Sequence, residues 1–112
     1  MASVSSPLDL AFQALSDPTR RAVVSRLAEG EAPVSVLAEP FDMALPSFMQ
    51  HLKVLEECGL IASEKRGRSR WCRLVQPRFE EAADWMEAER RSWKQRLDRL
   101  EAYLDKQAEE EG

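Results

Sequence analysis

The sequence predicts a mainly α-helical domain that carries one small β-hairpin. Apolar residues recur at the i, i+3, i+4 and i+7 spacing of amphipathic helices over most of residues 8–57. After Gly59 this spacing gives way to two short segments around a glycine-containing turn, which is typical of a hairpin. With 112 residues, the chain has the length of one domain of ordinary size.

Two helices are predicted at the start of the chain. Their apolar faces comprise Leu8, Ala11, Phe12 and Leu15 in the first helix, and Val23, Val24 and Leu27 in the second. Asp17 is a suitable N-cap and Pro18 suits the first helical position, so the second helix should begin there. It should stop near Gly30, because glycine is a common helix terminator.

A helix-turn-helix arrangement is predicted between Pro33 and Gly59. The apolar faces of its two helices comprise Val34, Leu37, Ala38 and Phe41, and then Leu45, Phe48, Leu52 and Leu55. Residues 42–44 form the turn, and two amphipathic helices joined by so short a turn are typical of this motif. The fourth helix leaves a different face free to contact a partner. This face carries Pro46, Ser47, Gln50 and Lys53.

The predicted hairpin, formed by residues 60–66 and 70–75 around residues 67–69, would be a basic wing beside the helices. Residues 65–73 hold five basic side chains and no acidic one. These are Lys65, Arg66, Arg68, Arg70 and Arg73. The net charge of the chain is −4, but residues 76–112 hold seven Lys/Arg against eleven Asp/Glu. Because screening limits each charge to about 8–10 Å, this acidity does not exclude binding to DNA.

A long last helix is predicted over residues 77–106. It would be the final part of a domain that comprises residues 8–106 and follows a flexible N-terminus at residues 1–7. Its apolar residues are spaced 7, 4, 3 and 4 apart, which approximates a heptad seam. They are Met86, Trp93, Leu97, Leu100 and Leu104. This apolar seam is longer than a small domain needs to cover its own core, so we expect it to pair with the same seam of a second copy. Residues 107–112 form a polar tail.

Several classes of protein are disfavoured by the sequence. No apolar run approaches the roughly 18–20 residues that span a bilayer, and no secretory signal is present, so we expect a cytoplasmic protein without membrane contact. Cys58 and Cys72 are too few for a disulfide framework and are expected to be small buried hydrophobes. The lone His51 borders an apolar helix face, which favours a packed structural histidine. With no Gly-rich phosphate loop or catalytic constellation, an enzyme is disfavoured.

The chain resembles the ArsR/SmtB family of winged helix-turn-helix repressors. The resemblance lies in ALSDPTRR at residues 14–21, in the helix from Val34 to Phe41, and above all in HLKVLEECGLI at residues 51–61. It implies a homodimer joined through the first and last helices, with the fourth helix in the DNA major groove. The last helix would contribute the seam residues, and the first would contribute Leu8 and Phe12.

The metal sites of that family are not matched by this sequence. The third helix lacks a cysteine pair, and the last helix has carboxylates such as Asp84 and Glu87 but no histidine. The chain therefore resembles the metal-independent branch, and we expect no metal and no cofactor. The inducing signal, whether a small molecule or a metal, stays open.

DNA contacts are expected from the fourth helix and the wing. Side chains near the N-terminus of a helix in the major groove read base edges, which assigns base contacts to Ser47 and Gln50, with Pro46 in apolar contact. Lys53 lies further along and should contact a phosphate. Arg68 and Arg70 would hold phosphates or enter the minor groove. Trp71 could stack on the hairpin or touch a DNA sugar.

The sequence thus predicts a homodimeric repressor that binds double-stranded DNA at a roughly palindromic operator. Trp85 and Trp93 would belong to the dimer core. Two alternatives stay open. One is a winged-helix module that binds another protein, although its surface should then carry a larger apolar patch. The other is a thiol-responsive regulator that uses Cys58 or Cys72, which would need a lowered thiol pKa and exposure.

Overall fold

A computed structural model describes residues 6–111 and confirms a mainly helical chain with a small antiparallel sheet. The elements are α1 (Pro7–Ala14), α2 (Pro18–Leu27), β1 (Ala32–Pro33), α3 (Val34–Ala38), α4 (Leu45–Glu57), β2 (Ile61–Arg66), β3 (Ser69–Leu74) and α5 (Gln76–Glu111). The chain divides between Ala82 and Ala83 into two compact units, and each is described by itself. The first unit contains every element up to the start of α5.

The first two helices begin at the caps that their sequences encode. Ser6 and Asp9 form a capping box at the start of α1, where each side chain accepts a hydrogen bond from the other residue's backbone N–H. Asp17 accepts from the Arg20 backbone N–H at 3.1 Å, as expected for the N-cap of α2. Of the expected N-terminal segment, residues 1–5 lie outside the described part, and Pro7 already belongs to α1.

A single apolar core holds the first unit together. Its largest fully buried side chains are Phe48 and Leu55 of α4, Leu60, Val23 and Cys72. The other large buried side chains of the core are Val24, Leu27, Leu37, Leu52 and Ile61. The predicted inward residues of α2 are thus confirmed, and α4 packs one face on this core while its other face remains in solvent.

The sheet has three strands in the order β1-β3-β2, one more than the predicted hairpin. Strand β1 has only two residues, with Ala32 opposite Cys72 and Pro33 opposite Trp71, so it is too short to show a periodic pattern. In the hairpin, Arg66 pairs with Ser69 and leaves a two-residue turn. Gly67 has φ +62° there, as the first position of a type II′ turn requires.

Two expectations for the helix-turn-helix segment are wrong. Helix α3 ends at Ala38 and does not reach Phe41. Glu39 still has helical backbone angles, but Pro40 has no backbone N–H to continue the helical hydrogen bonds. Phe41 nevertheless packs beside Phe48, with ring centroids 5.5 Å apart. Leu45 was expected to face the core, yet 57% of its surface is exposed, because it is the first residue of α4 and lies at the helix end.

Helix α5 has 36 residues and ends at Glu111, beyond the predicted end at residue 106. The predicted polar tail is therefore helical through Glu111. Ala82 is buried in the first unit, whereas residues 83–111 form a single helix with most side chains exposed. None of the described helices combines the length and apolarity needed to cross a membrane.

Candidate DNA-binding surface

Helix α4 presents a polar face on the side opposite its buried residues. Pro46, Ser47, Gln50 and Lys53 are all exposed, as the sequence predicts. Within residues 6–111, Ser47 and Gln50 have no hydrogen-bond partner, so their polar groups are available to a ligand. Lys53 forms only a long ion pair with Glu57, at 3.9 Å, and both side chains are about two-thirds exposed. Such an exposed pair contributes little and leaves the ammonium free to exchange partners.

The start of α4 adds backbone donors to this face. Ala44 is the N-cap and provides no side-chain acceptor, and Pro46 occupies the first turn. The first backbone N–H groups of a helix have no partner within it and favour anions. The N-terminal end of α4 therefore offers donors to a phosphate beside the side chains of Ser47 and Gln50.

The wing carries two predicted contact residues with different surroundings. Arg68 is exposed in the turn of the hairpin and has no partner among the described residues. Arg70 on β3 donates to Ser63 Oγ at 3.0 Å, and the Ser63 hydroxyl donates to the Glu56 carboxylate of α4. Arg70 is thus held in place by a hydrogen-bonded chain that joins the wing to α4.

A cleft between α4 and the wing brings three of the six predicted contact residues together. It encloses about 410 Å³ and is lined by Met49, Gln50, Leu52, Lys53, Glu56, Arg70 and Cys72. Gln50, Lys53 and Arg70 therefore line the same space. Pro46 and Ser47 lie about one turn earlier on α4, and Arg68 lies at the end of the hairpin.

Arg66 belongs to the same basic cluster, but its guanidinium is paired with carboxylates. Its guanidinium donates to both Glu31 oxygens, at 2.8 and 2.9 Å, and to Glu64. These hydrogen bonds raise the pKa of Arg66 and lower the pKa of Glu31. The guanidinium also lies 4.9 Å from the centre of the Trp71 ring, so Trp71 stacks on a side chain of the hairpin. No spacing in the sequence pointed to this cluster, because Glu31 is far from the wing along the chain.

His51 is half-buried in α4, as expected for a structural histidine. Its Nδ1 lies 3.3 Å from Arg20 Nη1 and 3.6 Å from Asp17 Oδ2. These partners belong to α2 and its N-cap, so the ring faces the interior of the first unit and not the exposed face of α4. His51 is therefore not among the residues that can contact a ligand from this surface.

Both cysteines are buried and free, which confirms the expected packing role. Burial raises the pKa of the Cys72 thiol to about 11, although this thiol borders the cleft beside α4. The Cys58 thiol donates to the Leu55 carbonyl at 3.3 Å. Cys72 thus lacks the lowered thiol pKa that the thiol-responsive alternative would need.

The predicted dimerisation residues fall into two groups, one in each compact unit. Leu8 and Phe12 on α1 are half-buried. Met86, Trp93, Leu97, Leu100 and Leu104 on α5 are 53–60% exposed. At 100° per residue these five positions fall within an arc of about 60° on one side of the helix. Over residues 83–111, α5 therefore carries a narrow apolar stripe, which we call the α5 stripe.

The described residues contain no group of three His, Cys, Asp or Glu side chains that could hold a metal ion. Glu87, one of the carboxylates on α5, is paired instead with Arg90 at 2.9 Å and with Arg91 at 3.9 Å. These ion pairs lie along one side of a solvent-exposed helix.

The fold and this surface define a winged helix-turn-helix protein, and comparisons with known proteins agree. A helix-turn-helix domain family matches residues 15–64. The chain is 44% identical over 70 residues to the HTH-type transcriptional regulator Rv2034 of Mycobacterium tuberculosis, covering 62% of this chain and 64% of that protein. It is 31% identical over 75 residues to the transcriptional repressor SdpR of Bacillus subtilis, covering 67% of this chain and 83% of that protein.

A solved structure extends the similarity to most of the chain. The crystal structure of the ArsR family transcriptional regulator RHA00566 matches with a TM-score of 0.73 and 48% identity, covering 84% of this chain and 97% of that chain. The chain belongs to the ArsR/SmtB family of winged helix-turn-helix transcriptional regulators. It spans just under two thirds of the length of Rv2034.

Proposed function

We propose that this protein is a homodimeric repressor that binds a roughly palindromic operator through α4 and the wing, in the cytoplasm. The observation that carries the proposal is the convergence of Gln50, Lys53 and Arg70 on one cleft, beside the unpartnered Ser47. A surface of this kind combines donors for phosphates with side chains that can read base edges. Repression then requires only that the protein occupies promoter DNA, so no catalytic group takes part.

Base reading is assigned to the N-terminal half of α4. A major groove about 12 Å wide admits one helix, and the residues near its N-terminus reach the base edges. Gln50 can donate to and accept from an adenine in a bidentate pair, while Ser47 can pair with any base. Pro46 would contribute an apolar contact, such as one to a thymine methyl group.

Phosphate binding is assigned to Lys53 and to the wing. Lys53 exchanges its weak ion pair with Glu57 for a phosphate, which costs little because the pair is exposed. Arg68 reaches outward from the turn, while Arg70 is held near α4 through Ser63. The wing therefore offers one freely moving guanidinium and one positioned guanidinium to the DNA backbone or the adjacent minor groove.

Dimerisation is assigned to α5 together with α1. An exposed stripe of five large apolar side chains would be costly on an isolated helix, and a second copy of the same stripe can cover it. The dimer places two copies of α4 about one DNA turn apart, which matches a palindromic operator. We further propose that the protein binds DNA without a metal ion, and we assign no inducing signal to it.

The direct test replaces Arg68 and Arg70 by glutamate in one variant and measures retention on genomic DNA. The double variant should keep its oligomeric state and lose DNA retention, because each change turns attraction to phosphate into repulsion. Arg26→Glu, which reverses one charge on α2, is the matched control for each single wing variant, Arg68→Glu or Arg70→Glu, and should retain DNA. Unchanged retention by the wing variant would contradict the proposal and favour a protein-binding module.

A further inference from the structure

Arg20, in the first turn of α2, touches two other helices. Its Nε donates to the Ala14 carbonyl at 2.6 Å, and its Nη2 donates to the Gln13 carbonyl at 3.4 Å. Both carbonyls belong to the C-terminal end of α1. The Nη1 of the same guanidinium lies 3.3 Å from Nδ1 of His51 in α4. One rigid, planar group thus joins the end of α1 to the middle of α4.

This contact has a consequence for the His51 ring. A guanidinium can only donate, so a hydrogen bond from Arg20 requires Nδ1 to be the acceptor and the ring hydrogen to be on Nε2. Asp17 Oδ2 lies 3.6 Å from the same Nδ1 and accepts the Arg20 backbone N–H at 3.1 Å. That backbone hydrogen bond is the main cause that lowers the pKa of Asp17. Asp17 thereby fixes the start of α2 and, with it, the direction from which Arg20 reaches α4.

Side-chain packing leaves a gap between α1 and α4 along one side. A cleft of about 480 Å³ is lined by Leu10, Gln13 and Ala14 of α1, by Arg20, and by Val54, Glu57 and Cys58 at the end of α4. Space that side chains leave unfilled contributes no dispersion contacts to hold the helices at one angle. Arg20 lies in the wall of this cleft and makes the hydrogen bonds that cross between the helices.

We propose that Arg20 is a positioning residue, which holds α4 at a fixed angle to α1 through His51 and so sets the separation of the two reading helices. The inference rests on the proposed function, in which α1 belongs to the dimer interface and α4 enters the DNA. Any rotation of α4 against α1 is then repeated in both subunits, and it changes the distance between the two half-sites that the dimer can reach.

Arg21 provides a matched control for Arg20. It is the next residue along α2, and its Nη1 donates to the Leu15 carbonyl at 2.8 Å, at the same end of α1. Among the residues that the structure describes, Arg21 has no hydrogen bond to α4. Arg20→Lys and Arg21→Lys therefore make the same chemical change at the same end of α1, and only the first breaks a link to α4.

The first experiment measures the affinity of folded dimers for a footprinted operator and for the same operator with one base pair inserted between its half-sites. Arg20→Lys should bind the original operator about fivefold to tenfold more weakly than wild type. It should also discriminate less between the two spacings, which a uniform loss of stability would not cause. Arg21→Lys should match wild type in both respects. Unaltered spacing discrimination in Arg20→Lys would overturn the proposal.

Variants of His51 test the same link from its other end. His51→Asn places an acceptor near the position of Nδ1 and should retain most of the affinity, whereas His51→Phe removes the acceptor and should resemble Arg20→Lys. The double variant of Arg20→Lys with His51→Phe should be no weaker than either single variant, because both changes break one link. Additive losses would show that the two residues act separately.

A measurement without DNA separates this proposal from the proposed function. Backbone amide exchange in residues 45–57 should be faster in Arg20→Lys than in Arg21→Lys, because α4 loses one of its attachments. Failure of the wild-type protein to bind any operator would reject the proposed function. The exchange measurement does not depend on DNA, so it would still show whether Arg20 holds α4 in place. Equal exchange in the two variants would reject the positioning role.

Discussion

The partners of each charged side chain decide whether it is available to DNA. Arg66 and Arg68 lie two residues apart on the wing and look equivalent in the sequence. Arg66 is held by Glu31 and Glu64 and stacks on Trp71, whereas Arg68 has no partner among residues 6–111. A basic cluster read from the sequence therefore overstates the number of cations that can bind phosphates.

Because of this difference, we expect substitutions of Arg68 and Arg66 to affect different properties, namely DNA binding and stability. Arg68→Ala should weaken DNA binding and reduce the slope of log K against log salt by about 2 for the dimer, because one phosphate contact is lost in each subunit. Arg66→Ala should leave that slope nearly unchanged and lower the thermal midpoint, because it removes the tie between the wing and Glu31. Titrations at several salt concentrations measure the first effect, and thermal unfolding measures the second. A loss of slope in Arg66→Ala would contradict the assignment.

Asp17 gives a prediction for the pH dependence of stability. The Arg20 backbone N–H lowers the pKa of this carboxyl below its usual value of 3.8. A group with a lowered pKa in the folded state stabilises the fold at neutral pH, and this contribution disappears as the pH falls through the lowered pKa. Asp17→Asn retains a capping oxygen but lacks the charge, so it should be less stable than wild type at pH 7.

The difference between wild type and Asp17→Asn should shrink as the pH falls below about 4. Urea midpoints measured from neutral to acidic pH test this expectation. Asp9→Asn is a suitable control, because Asp9 belongs to the capping box of α1 and does not contact His51. A constant difference between wild type and Asp17→Asn at every pH would mean that the carboxylate charge contributes nothing.

The buried thiols give a third prediction at this scale. Cys72 is 1% exposed and its pKa is raised to about 11, while Cys58 is 7% exposed and donates to Leu55. Native protein should therefore react with a thiol reagent at neutral pH at least about tenfold more slowly than urea-unfolded protein. Equal rates in the two states, or loss of DNA binding on mild oxidation, would revive the thiol-responsive alternative.

At the scale of elements, the sequence predicted those helices and strands whose patterns are long enough to repeat. Helices α2 and α4 follow their apolar spacing and end signals closely. Strand β1 has two residues and exists only because β3 lies beside it, so no local pattern could reveal it. Leu45 satisfied the helical spacing but lies at the first position of α4, where neighbouring elements no longer cover the side chain.

Only part of the candidate site could be predicted, because local spacing reveals the exposed face of a helix but not the contacts between elements. Ser47, Gln50 and Lys53 follow from the helical period, since a face opposite the core must be exposed. The link from Arg70 through Ser63 to Glu56 depends on how β2, β3 and α4 meet in space, which no sequence spacing encodes. The Arg20 contacts likewise join three helices and require the tertiary structure.

The α5 stripe predicts that a single charge on one side of the helix prevents dimerisation. Leu100→Glu should yield monomers, because a carboxylate would have to be buried without a partner between two copies. Ala102→Glu is the matched control, since it lies about 140–160° away from the stripe and is already exposed. Sedimentation or light scattering distinguishes the two states. A dimeric Leu100→Glu variant would place the interface elsewhere.

At the scale of the whole molecule, an acidic protein is proposed to bind an acidic polymer. The net charge is −4, yet the acidic excess lies in residues 76–112, while the wing and the exposed face of α4 hold unpaired donors. The acidic excess and the unpaired donors therefore belong to different segments of the chain, and screening limits the reach of each charge to about 8–10 Å. Two copies of the wing and α4, presented together, would double the number of phosphate contacts and strengthen the dependence on salt.

Sequence-specific binding by a dimer is tested most directly by selecting bound fragments from the source genome with purified protein at about 150 mM salt and footprinting each enriched site. At this salt concentration, binding through phosphates alone is weakened. We expect enriched, imperfectly palindromic sites protected on two half-sites about one helical turn apart. Only salt-sensitive binding to all fragments, with no enriched sequence, would contradict the claim that this protein is a sequence-specific dimeric repressor.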